Sequence, residues 1–318
     1  MKSEKKHLIY LAAGLLAAAS LPFVITNVYY LHVINLAGIY CLVTVGLNLL
    51  SGYTGQVSMG HAGFFAIGTY VSALSALDLG VPWLPGTILA VLSASLCGFV
   101  IAVPAMKLAG SYLVLATVGF GEIVRLVLVN WTPVTKGAAG LVGIPLPNIF
   151  GIRITSEGEF FYLILVMLIL GAGIARRLAD SKIGRTFIAI REDELASRAM
   201  GVPVDRYKTA AFMISAAFAG AAGSIYGAFS GVTSPDNFTF DDSVAFLCMS
   251  VVGGSRTVGG AVVGTVALVS LTELLRAFQA YRLIVYGLIL IITVIYMPQG
   301  LAGLMFKKHT REESEADS

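Results

Sequence analysis

The sequence has few charged residues. Asp, Glu, Lys and Arg make up only 12% of its 318 residues, whereas about 25% is typical of a soluble domain. Hydrophobic residues make up 57% and the mean hydropathy is +0.85. A chain of this length can form about ten membrane spans of roughly 20 residues, which leaves no room for a soluble catalytic domain. We therefore expect an all-α, polytopic membrane helix bundle that forms a single domain over residues 1–318.

Cysteine is also scarce. The three cysteines, Cys41, Cys97 and Cys248, each lie in an apolar stretch without CxxC or Cys/His spacing. This pattern gives no support to a disulfide framework or a metal site, and it predicts small, buried apolar side chains. The net charge of +3 is modest, so we expect no nucleic-acid partner.

Motifs for enzymatic chemistry are missing as well. The sequence has no GxxxxGK[ST] phosphate-binding loop and no HExxH or GxSxG motif. We therefore predict no catalytic residue and no cofactor in this chain, and any ATP must be hydrolysed by other subunits. A secondary transporter driven by an ion gradient and an intramembrane enzyme remain alternatives, although the first would need a buried unpaired carboxylate and none stands out.

Ten apolar runs indicate membrane spans. The first follows MKSEKK and resembles a signal sequence, but its apolar character continues through LPFVIT, which favours a retained span. The eighth is short and is followed by VVGGSRTVGG, which is typical of a half-helix. The predicted spans cover residues 8–26, 33–50, 59–77, 86–106, 111–129, 160–175, 209–230, 242–254, 260–276 and 281–297.

The distribution of charge predicts the orientation of these spans. Most of the 21 Lys and Arg residues lie in alternate connections, and cationic loops resist translocation, so we assign these connections and both termini to the cytoplasm. The tail at residues 306–318 is predicted to be disordered. Residues 130–159 are predicted to form an ordered external loop that, with residues 235–242, offers acidic groups to an external partner. The acidic residues proposed for this contact are Glu157, Glu159, Asp241 and Asp242.

The run GLNLLSGYTGQVSMGHAGFFAIGTY, residues 46–70, interrupts the apolar pattern with glycines, hydroxyls and amides. At membrane depth, irregular backbone survives only where protein covers it or where it lines a watery cavity. The segment is therefore a candidate for part of a pathway for a polar solute. Alternatively, its small residues pack helices closely and its polar groups form hydrogen bonds between helices, which is the favoured interpretation of His61. The candidate pathway residues are Ser51, Tyr53, Thr54, Gln56, Ser58 and His61.

Residues 176–208 form the one substantial cytoplasmic loop, between the sixth and seventh predicted spans. The stretch AIREDELASRAM is rich in helix-forming residues, with acidic residues toward its start, Gly201 where a left-handed cap would fall and Pro203 just beyond. It predicts one short helix that moves both adjoining spans when it is pushed. A solvated linker helix is the alternative on charge pattern alone.

Two pairs of opposite charges lie in or beside apolar runs, Glu122 with Arg125 and Glu273 with Arg276. Spacing of three residues puts both members on one helix face. Charges in a membrane suggest a functional role, but mutual pairing is the simpler explanation, and we expect intramembrane ion pairs. Farther along the chain, the GxxxG spacing of Gly260 and Gly264 is typical of close helix packing.

The chain resembles the LivM-type permeases of branched-chain amino acid ABC importers. The resemblance extends over residues 33–305 and rests on the 46–70 run together with GSYLVLATVGFGEIVR, TKGAAGL, GRTFIAIREDELASRAMGV and PDNFTFDDSVAFLCMSVVGGSRTVGGAVVG. It implies a multi-pass subunit in the lipid of a bacterial or archaeal cytoplasmic membrane, and uptake of leucine, isoleucine and valine. The implied partners are a second related permease, two cytoplasmic ATPases that bind ATP and Mg, and an extracytoplasmic solute-binding protein. Urea or short amides remain alternative cargoes.

The resemblance also implies a role for the 176–208 loop. In such importers a loop with a Glu-Ala-Ala pattern followed by glycine docks into a groove on the ATPase. The matching stretch begins at Glu194, has one more residue before Gly201, and has Leu-Ala-Ser where the pattern has Ala-Ala. The residues implied to couple to the ATPase are Arg191, Glu192, Asp193, Glu194, Ala196, Arg198 and Gly201.

Overall fold

The structure is a computed structural model that describes residues 19–25, 27–105, 110–149, 151–274, 284–289 and 291. Within these ranges, six helices are long and apolar enough to cross a membrane. The prediction of a polytopic helical bundle is thus confirmed. Most of the first and tenth predicted spans, the 306–318 tail and Arg276 lie outside the described residues.

Apart from the 130–159 loop, the helices follow one another with short connections. Residues 284–289 are also helical. The labelled helices are α1 (Val28–Asn48), which continues as a π-helical turn (Leu49–Tyr53), α2 (His61–Leu79), α3 (Trp83–Ala105), α4 (Ser111–Asn130), α5 (Glu157–Asp180), α6 (Lys182–Glu192), α7 (Glu194–Ala199), α8 (Val204–Ser230), α9 (Phe240–Gly253) and α10 (Val258–Leu274).

The centre of the bundle is formed by α1, α2 and α8. The most apolar stretch of α1 is 72% buried, whereas that of α4 is only 17% buried. Small residues allow α2 and α8 to approach closely. A Cβ atom on Gly68 would lie 2.3 Å from the carbonyl oxygen of Gly220. Any larger side chain at Gly68 would push these helices apart.

The 130–159 loop contains short elements, and no membrane-length helix is described within it. A helical turn, Thr132–Thr135, is followed by three short strands, β1 (Leu141–Val142), β2 (Asn148–Ile149) and β3 (Ile152–Arg153). Strand β1 pairs antiparallel with β4 (Val232–Thr233), and β2 pairs with β3. The β1–β4 pair joins this loop to the segment after α8, at the end of the bundle that the charge pattern assigns to the exterior.

The 176–208 loop lies at the opposite end. The prediction of one continuous helix in AIREDELASRAM is wrong, because the chain forms α6 and α7 with a break at Asp193. Asp193 has extended backbone (φ −152°, ψ 108°), and its carboxylate accepts a hydrogen bond from the Ala196 amide at 2.9 Å. Aspartate is a strong N-cap residue, and this cap competes with continuation of α6. The left-handed position predicted at Gly201 is confirmed by its φ of +82°.

Helices α9 and α10 form a tight hairpin. Helix α9 has 14 residues, or about 21 Å at the usual helical rise, so it is shorter than the roughly 30 Å of a bilayer core and confirms the predicted half-length helix. A Cβ atom on Gly264 would lie 2.2 Å from the carbonyl oxygen of Met249. The GxxxG spacing therefore marks close packing, as predicted.

Two of the three cysteines are buried as predicted, Cys41 in α1 and Cys248 in α9. Cys97 is only partly buried, so the prediction of burial is wrong there. It lies on α3, a helix in whose apolar window only one third of the residues are buried in the isolated chain.

Candidate functional site

Three segments that are far apart in the sequence meet at the end of α1. They are the π-helical turn, the C-terminal end of α6, and residues 254–257, which connect α9 to α10. The sequence singles out all three separately, as the Gly-rich run at 46–70, the 176–208 loop, and the stretch VVGGSRTVGG at residues 251–260, which we call the second Gly-rich stretch. We call their meeting point the α1–α6 junction.

Residues 254–257 are tied to α1 by two hydrogen bonds. The side-chain amide of Asn48 donates to the Gly254 carbonyl oxygen at 3.0 Å, and the Tyr53 hydroxyl donates to the Arg256 carbonyl oxygen at 2.7 Å. Arg256 has a φ of +72°, which is unfavourable for a residue with a long side chain. Only glycine fits at position 52, since a Cβ there would lie 2.8 Å from the Arg256 amide nitrogen. The contact is therefore backbone against backbone.

Helix α6 reaches the same point through two charged side chains. The Arg191 guanidinium donates a hydrogen bond to the Gly52 carbonyl oxygen, and Glu192 pairs with Arg256 at 2.5 Å. Burial and the nearby Arg256 lower the pKa of Arg191, and Glu192 partly offsets the effect. Both residues were predicted to couple to an ATPase. The structure places them against the transmembrane part of their own chain.

Four further charged residues of the 176–208 loop contact one another. Arg198 pairs with Glu194 at 3.0 Å and with Asp205 at 2.6 Å, and Lys208 pairs with Glu194. Hydrogen bonds to Asp205 and Glu194 raise the pKa of Arg198. Burial acts to raise the pKa of Glu194, but hydrogen bonds from Lys208 and Arg198 lower it below its ordinary value. This network fastens α7 to the start of α8.

Two residues in this loop that the sequence analysis did not select are large, apolar and exposed. Leu195 is 79% exposed and Met200 is 84% exposed. In contrast, Phe187 and Ile190 of α6 are buried against the bundle. Exposed apolar side chains on a short helix are typical of a surface that a partner covers. Their position among charged residues in the sequence was the available signal.

His61 is fully buried at the start of α2. Its Nδ1 lies 3.1 Å from the Ser58 hydroxyl and its Nε2 lies 2.6 Å from the Ser215 hydroxyl. With a partner on each ring nitrogen, the geometry favours the packing interpretation of His61. The start of α2 is further held by neighbouring helices, because the Met59 amide donates to Thr117 of α4 and the Ala62 amide donates to Ser243 of α9, each at 3.0 Å.

Two hydroxyl groups in the candidate pathway segment, those of Ser51 and Thr54, are satisfied by their own helix. Ser51 donates to the Leu47 carbonyl at 2.9 Å and Thr54 donates to the Leu50 carbonyl at 2.6 Å. Gln56 differs. Its side chain is buried, and neither its amide nitrogen nor its amide oxygen has a hydrogen-bond partner among the residues that the structure describes. Leaving a buried polar group unpaired costs about 1–3 kcal/mol, so Gln56 is the predicted pathway residue with unused hydrogen-bonding capacity.

Glu122 and Arg125 form the expected contact on α4. Arg125 Nε lies 3.1 Å from the Glu122 carboxylate, and Arg125 also approaches Asp236 at 3.8 Å. The two side chains are 39% and 31% exposed. For the second pair, Glu273 accepts a hydrogen bond from Tyr29, and Arg276 lies outside the described residues. Within the described part of the chain, no group of three or more His, Cys, Asp or Glu side chains could hold a metal ion.

Comparisons with known proteins agree with this architecture. Residues 29–294 match the family described as "Branched-chain amino acid transport system / permease component". The chain is 35% identical to the high-affinity branched-chain amino acid transport system permease protein LivM of Escherichia coli K12, over 94% of this chain and 76% of that protein. It is 26% identical to the LivH permease protein of the same strain, over 85% of this chain and 93% of that protein. A probable LivM permease of Methanocaldococcus jannaschii is 25% identical over 83% and 90% of the two chains. No solved structure is significantly similar.

Proposed function

Because this chain belongs to the family of branched-chain amino acid transport permease components, we propose that it is one membrane subunit of an ATP-driven importer for leucine, isoleucine and valine. The α1–α6 junction is the observation that carries the proposal. It joins the loop that faces a cytoplasmic ATPase to the most buried membrane helix through Arg191, Glu192 and Arg256. A push on α6 is thus transmitted to α1, and the bundle rocks between outward-open and inward-open arrangements.

The α6–α7 segment is the proposed docking site for the ATPase subunits that bind ATP and Mg. Most of its charged residues are engaged within the chain, whereas Leu195 and Met200 are free to enter an apolar groove. Asp193, Ala196 and Gly201 then act by shaping α7 and its ends. The ion pairs of Glu194, Arg198 and Asp205 support this role indirectly, because they hold α7 and thereby the positions of Leu195 and Met200.

We place the second permease against α4. This helix is the least buried of the six long helices and carries the Glu122–Arg125 pair in a partly exposed position. Lipid would be a costly neighbour for these charges, whereas protein or a water-filled path could accommodate them. Gly119 on the same helix has open space where a side chain would lie. A Gly119→Cys variant should form a disulfide-linked product with cysteine variants of the second permease, and its absence across a scan of that subunit would contradict the placement.

The 130–159 loop and the segment around β4 form the proposed docking surface for the solute-binding protein. Of the four acidic residues predicted for this contact, three have structural contacts. Glu157 contacts His32 and Asn35, Glu159 completes a capping box on α5, and Asp242 completes one on α9. Alanine at Glu159 or Asp242 would remove a helix-capping contact together with charge, and alanine at Glu157 would remove the contacts with His32 and Asn35. The exposed Asp236 caps no described helix, and its described ionic contact is the 3.8 Å approach of Arg125, so its charge reversal should weaken binding-protein docking without removing a cap.

Reconstitution in liposomes tests the proposed function. The chain with its second permease, the two ATPases and the binding protein should take up radiolabelled leucine, isoleucine or valine only when ATP is inside the compartment that holds the ATPases. Uptake by this chain alone under an ion gradient would establish a secondary transporter instead. Uptake of urea or acetamide with no uptake of leucine would keep the importer mechanism and change the cargo.

A further inference from the structure

The π-helical turn Leu49–Tyr53 is an unusual feature of a membrane helix. Such turns are rare, and they insert an extra residue into an α-helical pattern, often at functional sites. Returning the turn to α-helix would shift the following residues by one position, which corresponds to a rotation of about 100° and a translation of about 1.5 Å. This shift defines a second register, distinct from the one observed, for the residues after the turn.

Three contacts from other parts of the chain hold the turn in its present form. Asn48 and Tyr53 bond to residues 254–257, and Arg191 of α6 bonds to the Gly52 carbonyl oxygen within the turn. The two anchoring segments are themselves linked by the Glu192–Arg256 pair. The position of α6 therefore determines whether all of these contacts can be made together.

Gln56 follows the turn and would move with it. Its side chain is buried, yet both polar atoms lack a partner among the described residues. The neighbouring residue Gly55 lies against α6, because a Cβ atom added at Gly55 would be 3.0 Å from Arg191 Cγ. Gly55 also has a φ of +74°. An arrangement in which the Gln56 amide is hydrated or bound to solute would recover the hydrogen bonds that are missing here.

We propose that the Leu49–Tyr53 turn is a two-state register element and that Arg191 is the positioning residue through which α6 holds it. This inference rests on the proposed function, because it assumes that an ATPase moves α6. When α6 moves, Arg191 leaves the Gly52 carbonyl, the turn changes register, and the Gln56 amide rotates from a buried, unpaired position into the aqueous path. The loop and the path are thereby coupled through one side chain.

Thiol labelling of a Gln56→Cys variant in the reconstituted complete complex tests this mechanism. When Arg191 is retained, a membrane-impermeant maleimide should modify the thiol of the Gln56→Cys variant only while a non-hydrolysable ATP analogue holds the ATPases closed. With Arg191→Met added, labelling without nucleotide should rise about 10-fold, which is within the usual range of coupling between sites. Arg191→Lys keeps a donor and should restore nucleotide dependence. Unmodified chain with its three native cysteines gives the background.

A matched control is available on the same helix. Arg185 donates to the Asp180 carbonyl oxygen at 3.1 Å and has no described contact with the π-helical turn. Arg185→Met therefore removes one positive charge from α6, as Arg191→Met does, but leaves the contacts of the turn in place. As a second measurement, Arg191→Met without the cysteine should keep ATP hydrolysis within about two-fold while uptake per ATP falls about 10-fold. Tyr53→Phe, which removes only one hydroxyl, should shift both readouts in the same direction by less.

The outcomes separate the two proposals. If the wild-type complex shows no ATP-dependent uptake, the proposed function fails. If the wild-type complex transports and Arg191→Met matches Arg185→Met in labelling and in uptake per ATP, the proposed function stands and the register element is refuted. Should Arg191→Met fail to assemble, unchanged behaviour of Tyr53→Phe in both readouts would also refute it.

Discussion

Leu195→Ala is expected to weaken binding of the ATPase while leaving the permease itself intact. Leu195 is 79% exposed in the isolated chain, so its side chain contributes little to folding. A truncation there should leave the melting temperature of the purified subunit unchanged. Any effect on the complex then reports on the surface that the ATPase covers.

The size of the effect follows from the apolar area available. Fully burying a leucine side chain contributes about 1.5–3 kcal/mol, and about four fifths of this area is still exposed in the free subunit. Because alanine retains its Cβ, we expect a loss of about 1–2 kcal/mol in binding free energy, or about a 5- to 30-fold increase in Kd. Met200→Ala, at 84% exposure, should have a similar effect.

Titration of purified ATPase onto nanodisc-embedded permease, followed by interferometry, measures this change. Leu79→Ala is the matched control, since Leu79 is 74% exposed and lies at the opposite end of the bundle, at the C-terminus of α2. It should leave the Kd unchanged. Wild-type affinity in both Leu195→Ala and Met200→Ala would refute the assignment of this surface to the ATPase.

Three further predictions concern the elements that support the junction. Gly264→Leu should destabilise the subunit by about 1–3 kcal/mol through overpacking, measured as a lower melting temperature. Gly259→Ala should leave the melting temperature unchanged, because a Cβ atom at Gly259 would meet open space. Asp193→Ala should cost about 0.5–2 kcal/mol by removing the N-cap of α7, measured as faster hydrogen exchange at the α7 amides, with Asp193→Asn as the control that keeps the cap. Because the folded-state pKa of Glu194 is lowered, its stabilising contribution should be present above about pH 4.3 and be lost as pH falls through the folded pKa. The difference in melting temperature between wild type and Glu194→Gln should therefore disappear in acid, and a constant difference would contradict this network.

Much of the fold could be predicted from hydropathy alone. Apolar runs of membrane length identified the six long helices, and the short run before VVGGSRTVGG identified the half-length helix α9. These predictions succeed because a membrane span requires a continuous apolar segment whatever its neighbours are. The break at Asp193 was missed because one side chain can favour either helix continuation or a cap, and the choice depends on where α7 is anchored.

The candidate site was predictable only in parts. The Gly-rich run, the 176–208 loop and the second Gly-rich stretch were each recognisable by composition, but their mutual contact was not. Arg191 was predicted to couple to an ATPase, and the structure adds that it bonds to Gly52 across 139 positions of sequence. Conversely, Leu195 and Met200 were not selected from the sequence, and the folded structure shows that both are exposed.

The class of molecule, its helices and its family follow from the sequence, because apolar length and local motifs are properties of contiguous residues. Which charged groups face inward, which apolar groups face outward, and the contact between the end of α6 and α1 follow from the folded structure alone. Those outcomes depend on the packing of helices that are distant in the chain. A hydrogen bond to a buried backbone carbonyl produces no recognisable sequence pattern, because every residue has such a carbonyl.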